Sequence, residues 1–328
     1  MLTKTELQAL QSKGLFRFSD AQATLGGVNV NMPAGILSTI SQQAAENILA
    51  KRTAEEALGG KTKLLDWADE KYFLPFVEKA GKVEVYADNS TPLSASMNVS
   101  FNERGHYRFS SSMTYGNLQA EQFSKAKINY ADALLRSATE AVAVELNRTA
   151  FNGYLSESGT MLVYGLLNDI NLDNYGVESK TISNMTWEEV IAFFAKAIAA
   201  LTTKSGNNIN GLSKIRCVIA ASVFALLQSK YTSLGISVFE ALQNRYPQMQ
   251  FVSAIELDNA VNGNKNAVYF IGENELGGIS KTTDLGYSEL ALMGNVVQES
   301  NGYTQTVSAG TCGALVYKPA FIVRYSGV

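Results

Sequence analysis

From residue 94 the hydrophobic pattern takes a period of two. Ala95, Met97, Val99 and Phe101 alternate with Ser96, Asn98, Ser100 and Asn102, and after "ERG" the alternation resumes through Tyr107, Phe109, Met113 and Tyr115. Such alternation predicts two one-sided strands, and a three-residue link containing glycine predicts that they pair as a hairpin. His106, Arg108, Ser110, Ser112 and Thr114 fall on the polar face, so the histidine is expected in solvent or at an interface. A two-stranded hairpin is marginal alone in water, and its apolar face therefore needs cover.

The period then lengthens. Ile128, Ala131, Leu135, Ala138, Val142 and Leu146 recur every three or four residues, with neither proline nor glycine between Leu118 and Phe151. This predicts one helix of roughly 50 Å, stopped by a left-handed residue at Gly153. Its alanine-rich stripe allows another element to approach closely. No heptad register persists, which argues against a coiled coil.

Residues 187–290 read as mixed α/β. "TWEEVIAFFAKAIAALTT" is an amphipathic helix with Thr186 and Glu189 as a capping box, and "KIRCVIAAS" has the length of a buried strand. The helices "VFALLQSK" and "SVFEALQNRY" and the strands "QFVSAIEL" and "NAVYFIGE" follow. Near the end, Asn301-Gly302 signals a hairpin, and "ALVYKPAFIVRYSGV" reads as one long strand with Pro319 at an edge or bulge. At the other end, residues 1–81 combine "LGGVNVNMPAG" with a helix "SQQAAENILAKRTAEEAL", from Ser41 to the glycines 59 and 60, and read as an extended arm.

Composition removes several classes of function. The chain has 328 residues, 46% hydrophobic and only 17% charged, with a net charge of -3, so the basic footprint of a nucleic-acid binder is missing. Cys217 and Cys312 are far apart and belong to no ligand motif, which predicts buried free thiols in a reducing compartment. The amino terminus lacks a signal-peptide core, and no stretch is long and apolar enough to predict a membrane span. A catalytic triad needs an imidazole, and His106 is the sole histidine.

The remaining chemical motifs dissolve on inspection. Gly60-Lys61-Thr62 lacks the first glycine of a phosphate loop, since Glu55 stands in its place. Asp169, Asn171 and Asp173 alternate like a calcium loop, but Asn174 and Lys180 occupy the places of its glycine and glutamate, so a side-chain-capped turn is expected. Asp66, Asp69 and Glu70 form an ordinary surface cluster. No enzyme, cofactor or metal is predicted. Arm, hairpin and spanning helix are instead parts suited to assembly.

The order of those parts, with "NRTAFNG" at the helix end, "YGLLND" after it and "YKPAFIVRYSG" in the final strand, resembles the major capsid proteins of tailed bacteriophages. That is the Hong Kong 97-type fold shared with encapsulins. The resemblance implies an α+β fold with an N-terminal arm over 1–81, an extended hairpin loop over 82–117 and a peripheral domain with its spine helix over 118–186. An α/β axial domain over 187–290 and return strands to the peripheral domain over 291–328 would complete it.

By the same resemblance, Val99, Phe101, Tyr107 and Phe109 pack on an adjacent subunit, while Glu103, Arg104 and Arg108 make intersubunit polar contacts near the hairpin tip. The implied function is the shell of a virion built from pentamers and hexamers around the genome, with only weak, non-specific contact with DNA and no membrane. Expected partners are a separate scaffolding protein, a portal and a decoration protein, with synthesis in the host bacterial cytoplasm. The alternatives are an encapsulin-like nanocompartment shell and a small-oligomer α/β enzyme.

Overall fold

The computed structural model describes residues 51–80, 96–125, 130–156, 159–261, 265–274 and 281–328. Residues 1–50 of the expected arm and the segments 81–95 and 126–129 lie outside the described residues. The expected 118–151 helix is accordingly represented by two segments, Asn117–Lys125 (α2) and Tyr130–Asn152 (α3), on either side of residues 126–129. The short helix Ala54–Leu58 (α1) begins only after Thr53, so the helix expected from Ser41 does not run through residues 51–53; α1 closes on Gly59 at φ 80°, as its glycine predicts. Its Ala54, Ala57 and Leu58 are buried in the main core.

One sheet supports the long helix. Lys61–Lys63 (β1) pairs in parallel with Thr283–Met293 (β11), which pairs antiparallel with Gly302–Val316 (β13). On its other side β13 pairs with Tyr107–Gly116 (β4), and at its start with Val297–Glu299 (β12) through the predicted Asn301-Gly302 turn. Ala138 and Val142 of α3 pack on Val307 and Ala309 of β13, with Phe109 and Leu135 at the margin. The small side chains on both surfaces let helix and strand approach closely.

A second sheet runs Gly176–Val177 (β7), Ile322–Ser326 (β14), Ala267–Gly272 (β10), Ile215–Ala220 (β8), Met249–Ala254 (β9). Every residue of β8 and β10 is buried, which is why both read as continuous apolar runs without alternation. Helix Trp187–Lys204 (α4) covers the sheet and begins in the predicted capping box, with Glu189 N–H donating to Thr186 Oγ1 and Thr186 N–H to Glu189 Oε2. Phe193 meets Phe270 and Tyr325 edge-on, so helix and sheet share an aromatic seam. Helices Ala221–Ser229 (α5) and Val238–Arg245 (α6) complete this half, α6 starting at Ser237, whose hydroxyl accepts from Glu240 N–H.

Strand pairing departs from the sequence reading in two places. The strands on either side of "ERG" do not pair with each other. Ser96–Gly105 (β3) pairs with Lys71–Ala80 (β2), while β4 joins the sheet beneath α3. Gly105 is therefore a site of close approach, where a Cβ would stand 2.5 Å from Leu162 O, and not a hairpin turn. The carboxyl-terminal segment is not one strand either. Pro319 opens a 3-10 turn, Pro319–Phe321, after which the chain leaves the first sheet and enters the second as β14. β13 packs against the long helix, whereas the final strand completes the α/β half.

The end of α3 explains the motif around it. The last carbonyls of a helix have no partner inside it. Here Ala150 O and Phe151 O accept from the N–H groups of Leu166 and Leu167, and Asn152 O accepts from Asn168 Nδ2. Asn168 Oδ1 in turn accepts from Gly165 N–H, which folds the Gly165-Leu166-Leu167-Asn168 turn onto the helix end. Gly153 takes φ 68° and its N–H returns to Thr149 O. One turn earlier Asn147 Oδ1 accepts from the N–H groups of Thr53 and Ala54, so the long helix caps the start of α1.

Candidate intersubunit surface

Strands β2 and β3 form a two-stranded ribbon with unlike faces. Directly opposed residues share a face, and the register places Phe73, Pro75, Val77, Met97, Val99 and Phe101 together on one of them. Phe101 is 65% exposed, Met97 61% and Phe73 55%, so among the described residues this apolar face is largely open. Each strand of a two-stranded ribbon has a free edge, which accommodates Pro75. Near the root the other face turns inward. Leu74 is buried, and Tyr72 packs beside Leu65, Cys312 and Leu315.

The ribbon root is held by polar contacts. Arg104 is wholly buried, donates from Nη2 to Asp169 Oδ2 at 2.7 Å and lies over the Tyr164 ring. Asp169 Oδ1 accepts from Asn171 N–H, and Asn102 Nδ2 donates to Asn171 Oδ1, so the "NDINLD" segment is the expected capped turn. Arg108 donates from Nε to Trp67 O and from Nη2 to Asp69 O, tying the segment before β2 to β4. Glu103 pairs with Lys71 across the root at 2.5 Å, half exposed. His106 is buried, not solvated, with Nδ1 2.6 Å from Asp69 O and Nε2 2.8 Å from Ser288 Oγ. Burial outweighs the nearby carbonyl and lowers its pKa below the ordinary histidine value.

Of the residues expected to face a neighbour, Val99 and Phe101 lie on the outward ribbon face, and Glu103 borders it. Tyr107 and Phe109 do not. Tyr107 stacks on Tyr154 at 3.8 Å, and Phe109 packs against the α3–β13 cluster. Arg104 and Arg108 belong to the root and not to a tip. The sequence reading missed Phe73, Pro75 and Val77 because "YFLPFV" is apolar on both faces and its proline argues against a strand. The two cysteines are buried free thiols as expected, with burial pushing Cys312 up to about 12 and Cys217 higher still.

Comparison with known proteins places this fold. A family model described as the Pa193 gp26 major capsid protein matches residues 23–327. No curated protein matches the chain at a significant level. Among solved structures, the capsid of Myoviridae phage XM1 superposes with a TM-score of 0.74 at 14% identity, covering 92% of this chain and 100% of that one. The capsid of a native GTA particle gives 0.61 at 10% identity, covering 92% and 99%, and Gordonia phage Cozz gives 0.58 at 11%, covering 87% and 89%. At these identities the likeness establishes the fold, which is of the Hong Kong 97 type. With the family match spanning nearly the whole sequence and the fold shared with solved capsids, the chain belongs to the Pa193 gp26 family of major capsid proteins and is a subunit of a phage shell.

Proposed function

We propose that copies of this chain close into the pentamers and hexamers of an icosahedral phage head around the genome, each laying its outward ribbon face on an adjacent copy. The observation that supports this reading is the exposed row of Phe73, Pro75, Val77, Met97, Val99 and Phe101 among the described residues. Apolar area of that extent on a thin element is a liability in a monomer and an interface in an oligomer. In the proposed arrangement residues 187–290 gather around the capsomer centre and α3 spans the peripheral part of each tile. A separate scaffolding protein and a portal direct closure, a decoration protein adds to the outside, and synthesis takes place in the host bacterial cytoplasm. The net charge of -3 suits weak, non-specific contact with packaged DNA.

The test is to replace Val99 and Phe101 together by serine and compare particles by negative-stain microscopy and sedimentation. Soluble subunits or capsomers without closed shells are expected, and normal shells would overturn the reading. Particle contents distinguish the head from a nanocompartment of the same fold: genome and tail in one, a uniform enzyme cargo in the other.

A further inference from the structure

His106, the chain's only histidine, occupies the single-residue joint between β3, which belongs to the ribbon, and β4, which belongs to the sheet. Its backbone N–H donates to Glu70 O at 3.0 Å. In the tautomer protonated at Nδ1, the ring donates to Asp69 O and accepts from the Ser288 hydroxyl, so both nitrogens are engaged while the imidazole is neutral. The other ribbon strand enters through the same place, since Asp69 and Glu70 immediately precede β2.

The surroundings disfavour a positive charge. Trp67 stands edge-on at 6.3 Å, and on the β13 side a Cβ at Gly310 would come within 2.5 Å of Nε2. The charged groups facing the ring are Arg108 on β4, which lowers its proton affinity, and Asp69 in the loop before β2, which raises it; β11 and β13 present the neutral Ser288 and Gly310. The Asp69 carbonyl is already shared with the Arg108 guanidinium at 2.6 Å. A proton taken up from solvent would set a second cation beside Arg108. It would also turn Nε2 into a donor, so the Ser288 hydroxyl would have to reverse its own hydrogen bond to keep the contact.

We propose that His106 is an acid-sensitive latch on the ribbon root: the neutral imidazole holds Asp69 and Glu70 against β4 and β11, and protonation releases them so that the ribbon can change its angle to the body. A histidine whose folded pKa is lowered stabilises the closed form fully above the unperturbed value of about 6.5, and loses that contribution as pH falls toward the folded pKa. The latch concerns the ribbon's attachment to its own subunit. It does not depend on which surface the ribbon covers.

Hydrogen exchange of assembled full-length particles over a pH series from 7.5 to 5.0 (roughly one unit or more either side of an ordinary histidine pKa), corrected for the intrinsic chemical rate, tests this. In wild type, peptides spanning 66–72 and 104–110 should exchange about tenfold faster at the lower pH, with His106→Gln showing less than a twofold rise. Arg108→Gln, which removes the facing cation, should move the midpoint to higher pH. An equal rise in His106→Gln, a flat response in wild type, or a midpoint moved to lower pH by Arg108→Gln would overturn the latch. Should His106→Gln fail to fold, carbon-13-labelled histidine gives one resonance from the sole imidazole of wild type. Its titration midpoint must coincide with the exchange midpoint; a separation of more than about one pH unit overturns the proposal equally.

Discussion

Arg104 and Asp169 meet at 2.7 Å with both side chains wholly buried, joining the ribbon root to the turn that follows the long helix. Removing one partner leaves a buried charge alone, at a cost of about 3–5 kcal/mol. Asp169→Ala should therefore lower the stability of the subunit by that order in denaturant unfolding. A large part of the loss should return in the double variant Arg104→Met, Asp169→Leu, which leaves neither charge.

The outward ribbon residues should behave in the opposite way. Phe73 is 55% exposed and belongs to none of the core clusters of the described residues, so Phe73→Ser should change unfolding stability by no more than about 0.5 kcal/mol. Shell yield should nevertheless fall. A loss of subunit stability with intact assembly would place Phe73 in the wrong category of contact.

Gly153 carries a different constraint. At φ 68° a Cβ would stand 2.3 Å from Val163 O and 2.8 Å from Gly165 N. Gly153→Ala combines left-handed strain of about 1–3 kcal/mol with a backbone clash that flexible side chains cannot relieve. Soluble yield and melting temperature should both drop, and Gly165→Ala, whose Cβ would meet Phe151 O at 2.3 Å, should drop with them.

Cys217 and Cys312 are sealed in the core with their thiols held protonated, so neither should react with an aromatic disulfide reagent in the native protein at pH 8 (about half a unit below an ordinary thiol pKa). Both should react once the chain is denatured. Rapid native labelling of either residue would contradict the packing described above.

What could be read from the sequence divides by the distance over which each signal acts. The capping box at Thr186 and Glu189, the stop at Gly153 and the Asn301-Gly302 turn are local, and each forms as expected. The partner of β3 was illegible. Gly105 looks like a turn residue but is a glycine because Leu162 O comes close, a contact 57 positions away in the chain by residue number. Arg104, expected at an intersubunit contact, and His106, expected in solvent or at an interface, are both buried: Asp169 accepts from Arg104 Nη2, and Asp69 O and Ser288 Oγ meet the two imidazole nitrogens. The outward face of the ribbon was half visible, through Val99 and Phe101. Its other half lay in a segment apolar on both sides, where period carries no information about direction.

The passage through Pro319 has a mechanical consequence. Since β13 and β14 are consecutive in the chain yet lie in separate sheets, the two halves of the tile are stitched by backbone as well as by side-chain packing. In the proposed closed head, a pull along the wall that reaches this crossing would be borne by covalent backbone between the two sheets.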